Sequence, residues 1–106
     1  MTALPARGEV WWCELAEVGR RPVVVLSRDA AIPRLRRTLI GPCTTTIRRI
    51  PVEVVVGPAN GLDHESVINV DELQTIRVNR LIERIGELSP EQGARLDAAL
   101  RFALGL

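Results

Sequence analysis

The chain predicts a mainly β fold finished by one C-terminal α-helix, an α+β arrangement in which short strands form a strongly bent sheet or open barrel. Two observations carry this. Four apolar residues in a row, Val23 to Leu26, stand between Pro22 and Ser27, the pattern of a short strand buried on both faces rather than of a half-exposed one. At the other end, Ser89 is a capping serine, Pro90 suits the first helical position and Gln92 completes a capping box. Leu96, Ala99, Leu100, Ala103 and Leu104 then follow as one core-facing helical stripe.

The remaining elements follow in order. Gly8 punctuates the chain before Glu9 to Leu15, a stretch of β-formers. Its adjacent Trp11 and Trp12 point to opposite faces of a strand, so one anchors the core while the other covers a surface or an interface. Ala16 to Arg20 is a short connection. Pro22 fixes its own φ and pushes Arg21 toward extended geometry, which limits the directions in which the Arg21 side chain leaves the strand. Arg28 to Thr38 reads as a loop or a single helical turn broken by Pro33. Thr38 to Thr46 is a strand interrupted by Gly41-Pro42, which should bend or bulge it. Val52 to Val56 is a further strand, and the Gly57-Pro58-Ala59-Asn60-Gly61 turn returns the chain to Ser66 to Val70. Leu73 to Ile76, a helical turn over Asn79 to Ile82, and Ile82 to Leu88 lead into the helix.

Length and a 46% hydrophobic content suit one compact domain over residues 1–106. The longest apolar runs, about five residues, fall far below the roughly 20 needed to span a bilayer, and no basic-then-apolar signal pattern opens the chain. A cytoplasmic protein without membrane contact is expected. Cys13 and Cys43 lack CxxC spacing and have only His64 as an imidazole companion, so neither a metal site nor a disulfide framework is supported. They read as small apolar strand residues. His64 reads as a solvated loop histidine.

Charge is distributed unevenly around a net +1. Residues 1–49 hold nine arginines against four acids, and residues 50–106 five arginines against nine acids, with no lysine anywhere. The excess is densest from Arg28 to Arg49, where Arg28, Arg34, Arg36, Arg37, Arg48 and Arg49 face only Asp29. Such a cluster attracts phosphates or acidic peptides.

The succession Arg7-Gly8-Glu9-Val10-Trp11, Arg21-Pro22-Val23-Val24-Val25-Leu26-Ser27, Thr44-Thr45-Thr46, Asn69-Val70-Asp71-Glu72-Leu73-Gln74-Thr75-Ile76 and Ile85-Gly86-Glu87-Leu88-Ser89 resembles the MazF/PemK family of toxin endoribonucleases over nearly the whole chain. The resemblance implies an SH3-like partly open barrel of the kind shared with CcdB toxins, with a C-terminal helix. It also implies a homodimer with single-stranded RNA across the interface, and a cognate antitoxin whose disordered segment covers the RNA groove. The implied reaction is metal-independent and needs no cofactor: the ribose 2′-hydroxyl attacks the adjacent phosphorus, leaving a 2′,3′-cyclic phosphate and a 5′-hydroxyl, and translation stops. With the nucleophile supplied by the substrate, the protein adds charge stabilisation and a proton for the leaving oxygen.

Residue by residue, Arg21 matches the family arginine of the Arg-Pro-Val motif, expected to stabilise the transition state, and Thr44 the threonine that hydrogen-bonds the scissile phosphate. Asp71 aligns with an acidic residue proposed in some members as general base, and equally reads as a turn-forming carboxylate. Arg34, Arg36, Arg37, Arg48 and Arg49 are expected to grip RNA phosphates, with Thr45, Thr46 and Asn69 as further RNA contacts. Two departures stand out: the connection before Arg21 is shorter than in many relatives, and Asp71-Glu72-Leu73-Gln74-Thr75 replaces a common Asp-Gln-Ile-Arg-Thr. Two other functions fit the same fold. One is a protein-binding toxin that poisons DNA gyrase through its C-terminal end, here Phe102-Ala103-Leu104-Gly105-Leu106, and the other a catalytically silent RNA-binding barrel.

Overall fold

A computed structural model describes residues 4–106. Seven strands and two helices follow one another as β1 (Glu9–Leu15), β2 (Gly19–Val25), α1 (Ile32–Leu35), β3 (Arg37–Thr44), β4 (Glu53–Val56), β5 (Ser66–Asn69), β6 (Gln74–Arg77), β7 (Leu81–Glu87) and α2 (Pro90–Leu104). All the strand pairings are antiparallel, in the order β4-β5-β3-β2-β1-β7 with β6 added to β3, and the sheet does not close on itself. The mainly β architecture with a C-terminal helix is thus the one the sequence predicts.

The stretch Val23 to Leu26 is buried throughout. Val24 and Leu26 enter one core with Val10, Val54, Ile68 and Leu96, while Val23 and Val25 enter a second with Trp11, Ile32, Ile40 and Leu81. A strand between two cores has no solvent face, which is why its sequence is continuously apolar rather than alternating. Each such side chain contributes roughly 1.5–3 kcal/mol by burial. The strand itself begins earlier, at Gly19, and ends at Val25, one residue before the apolar run does. Trp11 is the core tryptophan, and Trp12, opposite Pro22 and Glu83, is half-buried. Cys13 and Cys43 lie one in each core.

Pro33 differs in effect from its expected role. It occupies the first turn of α1, where a missing N–H costs nothing, so it starts the short helix instead of breaking it. Gly41-Pro42 does not interrupt β3 either. On one side the pair stays in register with β2, Gly41 against Val24 and Pro42 against Val23. On the other side β3 exchanges partners there, from β6 up to Ile40 to β5 from Cys43. A proline is tolerated where the ladder on that side changes hands. Strand β3 then ends at Thr44, leaving Thr45 and Thr46 in the following loop.

The helix is anchored as its first turn suggests. The Ser89 side chain accepts from the Gln92 N–H at 3.1 Å, and Gln92 Oε1 accepts from the Ser89 N–H at 2.9 Å. Gln92 also reaches buried Asn60, which donates to the Glu87 carbonyl at 2.9 Å and accepts from the Gly57 N–H at 3.0 Å. Here the backbones of Gly61 and Gly86 approach so closely that a Cβ on Gly86 would strike the Asn60 carbonyl oxygen. Leu96 and Ala99 are buried, Leu100 and Ala103 pack on the first core, and Leu104 at the end of the stripe is exposed. Among the described residues no helix is long and apolar enough to cross a membrane.

Candidate nucleic-acid cleft

Where β2 and β3 part, a cleft of about 130 Å³ is lined by Arg21, Pro42, Thr44, Thr46, Arg48, Asn69 and Glu72. Register explains the convergence. The last β2–β3 pair is Val23 with Pro42, so the same register carried two residues further sets Arg21 opposite Thr44. On the other flank Cys43 pairs with Ile68, which sets Asn69 opposite Pro42. Side chains of one face alternate with period two, so Arg21, Pro42, Thr44 and Asn69 all stand on the same face of the sheet. Arg21 sits within β2, opposite Cys13 of β1 and directly before Pro22.

Thr44 and Asn69 are held from behind by backbone N–H groups, and the loop of Arg48 by a carboxylate. The Thr44 hydroxyl oxygen accepts from the Thr46 N–H at 3.1 Å, which leaves the hydroxyl proton free to be donated outward. The Asn69 carbonyl oxygen accepts from the Asp71 N–H at 2.9 Å and caps the 3₁₀ turn Val70–Glu72. Its amide nitrogen, a donor, is then the end left for the cleft. The loop bearing Arg48 is fixed by Glu53, whose Oε1 accepts from the backbone N–H of Arg48 at 2.9 Å and of Arg49 at 2.8 Å. Glu53 Oε2 is buried with no hydrogen-bond partner among the described residues. Arg49 adopts a left-handed φ of 58°, which turns the chain from Arg48 toward β4.

Electrostatically the cleft is left unspent. The ion pairs among the described residues are Arg7–Asp97, Arg20–Glu14, Arg84–Glu9 and Arg84–Glu87, and neither Arg21 nor Arg48 takes part in one. Glu72 lines the same cleft yet stays beyond ion-pair distance of both guanidinium groups. Arg21, Thr44, Thr46, Arg48 and Asn69 are therefore the expected residues brought together here. Arg34, Arg36, Arg37, Thr45, Arg49 and Asp71 lie outside the lining, and Arg36 and Arg37 line a different cavity. Pro42, Glu53 and Glu72 carry no such expectation in the sequence, although the exchange of a common glutamine for Glu72 is visible there.

Neither thiol offers a nucleophile. Burial pushes Cys13 up to about 11, against a smaller opposing pull from Arg80, and Cys43 up to about 12. His64 lies in the turn before β5, its carbonyl accepting from the Ser66 hydroxyl at 3.0 Å, away from the cleft. Among the described residues no three His, Cys, Asp or Glu side chains gather to hold a metal ion.

The family model described as PemK-like, MazF-like toxin of type II toxin-antitoxin system matches residues 6–104. The chain belongs to that family. It is 55% identical over 105 residues to the probable endoribonuclease MazF5 of Mycobacterium tuberculosis, covering 98% of this chain and 96% of that one. It is 40% identical to the endoribonuclease MazF3 of the same species, over 81% of this chain and 84% of that one. Among solved structures, Mycobacterium tuberculosis toxin MazF-mt6 superposes with a TM-score of 0.86 at 36% identity, covering 92% of this chain and 97% of that one. A mycobacterial endoribonuclease in complex with its cognate antitoxin superposes with a TM-score of 0.86 at 32% identity, each chain covered to 96%. The PemK/MazF toxin fold is therefore the setting in which the cleft is read.

Proposed function

We propose that this chain is a metal-independent, sequence-selective endoribonuclease toxin acting on single-stranded RNA, formed by one domain over residues 1–106. The observation that carries the reading is the meeting of Arg21 and Thr44 in one cleft whose two arginines have no carboxylate partner within ion-pair distance. Unspent guanidinium donors suit a substrate phosphate. In this reading the ribose 2′-oxygen bonds to the adjacent phosphorus while the bond from phosphorus to the 5′-oxygen breaks. The 2′ proton passes to a base, the 5′-oxygen takes up a proton from solvent water, and a 2′,3′-cyclic phosphate and a 5′-hydroxyl remain.

Arg21 stabilises the charge that develops on the non-bridging oxygens. It does so as a fixed cation, because a guanidinium pKa above about 12 makes proton loss costly. Thr44 donates its hydroxyl proton to one of the same oxygens, and Asn69 supplies an amide N–H beside it. Proton acceptance falls to the Asp71-Glu72 pair, of which Glu72 is the member lining the cleft. Arg48 and Thr46 hold the flanking phosphate, and Arg34, Arg49 and Thr45 extend the grip outward, while Arg36 and Arg37 meet phosphate away from the cleft. Binding through several phosphates should weaken steeply as salt rises.

The same reading includes a cytoplasmic homodimer, RNA across its interface, growth arrest through blocked translation and neutralisation by a cognate antitoxin. The antitoxin complex of a structural neighbour at 32% identity supports that partner. Incubating the purified protein with a long mixed-sequence RNA in EDTA tests the proposal. Discrete, EDTA-resistant cuts at a repeated motif are expected. Intact RNA in the presence of folded protein would overturn it and favour gyrase poisoning, for which the exposed Phe102, Leu104 and Leu106 at the C-terminus are the relevant surface, or a silent RNA-binding barrel.

A further inference from the structure

A second cavity, of about 360 Å³, lies at the far end of β3 and is lined by Leu35, Arg36, Arg37, Arg77, Val78 and Asn79. Three arginines from two segments line it. Arg37 and Arg77 are direct cross-strand partners in the β3–β6 ladder. Like charges placed opposite each other weaken an antiparallel pair, and among the described residues no carboxylate lies within ion-pair distance of Arg36, Arg37 or Arg77. The backbone holds the three in place. Arg36 caps α1 in a left-handed conformation, φ 53°, its N–H donating to the Ile32 carbonyl at 2.9 Å. Its own carbonyl accepts from the Val78 N–H at 3.1 Å, tying the two arginine-bearing segments together.

We propose that Arg36, Arg37 and Arg77 form a phosphate-binding site separate from the reaction cleft, with the Asn79 amide as a fourth polar contact. The charge and the fork geometry favour phosphate. Three arginines lining one cavity carry more guanidinium donors than a two-oxygen carboxylate accepts, and they match a group with three or four acceptor oxygens. The site does not merge with the cleft. Arg37 and Thr44 are an odd number of residues apart on β3, so they stand on opposite faces, about 24 Å apart along the strand. The phosphate can belong to the backbone of a bound RNA or to a small phosphorylated compound. Only the RNA source rests on the nuclease reading.

The test uses arginine side-chain N–H resonances of the whole protein, titrated with inorganic pyrophosphate at constant ionic strength. Saturable shifts of Arg36, Arg37 and Arg77 are expected, together with a rise in melting temperature. Arg77→Ala removes the cross-strand repulsion and should fold as well as the parent, yet its pyrophosphate affinity should fall on the order of tenfold or more. Shifts that do not saturate, or that survive Arg77→Ala, would reduce the cluster to counterion screening and overturn the site. Stronger saturation by a hexaglutamate peptide than by pyrophosphate would overturn the phosphate assignment in favour of an acidic protein segment. A DNA oligonucleotide, which lacks the attacking 2′-hydroxyl, separates the two sources. If it moves the same resonances, and Arg77→Ala flattens the salt dependence of its binding, a nucleic-acid backbone is the ligand. If only pyrophosphate moves them, a small phosphate compound is. Every readout is of binding, so absence of RNA cleavage would leave this result intact.

Discussion

At the start of α2, the Asn60 and Gln92 side chains bond to each other and to backbone carbonyls and N–H groups, and the Ser89 hydroxyl accepts from the Gln92 N–H. At the end of β3 the polar residues behave differently. Thr44 and Asn69 use their oxygens on the local backbone and keep their protons, while Arg21 and Arg48 make no ion pair. Similar side-chain chemistry serves stability in the first region and leaves free donors in the second. A closed network stabilises the chain that contains it. An open one is poised for an anion from outside.

Substitutions should separate the two regions. The largest effect is expected at Arg21: Arg21→Ala should lower the single-turnover RNA cleavage rate on the order of a hundredfold or more, with a melting temperature close to the parent because the residue is exposed and unpaired. Thr44→Ala should follow, losing about 1.5–3 kcal/mol of transition-state stabilisation, tenfold or more in rate, since one hydrogen bond to a charged group disappears. Urea denaturation of Thr44→Ala should show a nearly unchanged midpoint.

The inverse pattern belongs to the closed network. Asn60→Ala should lower unfolding free energy by about 1–3 kcal/mol, because it takes the partner from the half-buried Gly57 N–H, the donor from the Glu87 carbonyl and one of two partners from each polar group of the Gln92 side chain. Its cleavage rate, measured well below the melting temperature, should match the parent. Ser89→Ala should cost about 1 kcal/mol by removing the helix cap. The smallest effect under ordinary conditions concerns the thiols. Cys13 and Cys43 are raised from 9.0 to about 11 and about 12, so the unfolded chain loses their protons first as pH rises. Their contribution to stability is complete below about pH 9 and should be lost as pH climbs through the folded values, a trend that alkaline denaturation of Cys13→Ala would flatten.

Much of this was legible in the residues and some could not be. The double burial of Val23 to Leu26 and the Ser89-Pro90-Gln92 helix start are local patterns, and local patterns can be read from a sequence. Pro33 and Gly41-Pro42 were harder because their meaning depends on neighbours distant in the chain. A proline in a helix breaks it or begins it according to its position, and the tolerance at Pro42 arises from β3 exchanging β6 for β5 beside it. For the cleft, the motifs around Arg21 and Thr44 named its central residues. Glu72 and Glu53 were missed for a physical reason: one lines the cleft because a 3₁₀ turn carries it there, and the other matters through two backbone N–H groups of a loop. Likewise Arg77 joins the basic cluster only through its pairing with Arg37.

The most direct test of the open cleft is an analysis of RNA ends after single-turnover digestion in EDTA by the parent protein and by Arg21→Ala of matched thermal stability. The parent should yield 2′,3′-cyclic phosphate and 5′-hydroxyl ends at discrete sites, and Arg21→Ala should leave the RNA essentially uncut. Equal cleavage by a well-folded Arg21→Ala protein would contradict the account, because the unspent guanidinium would then have no part in the chemistry.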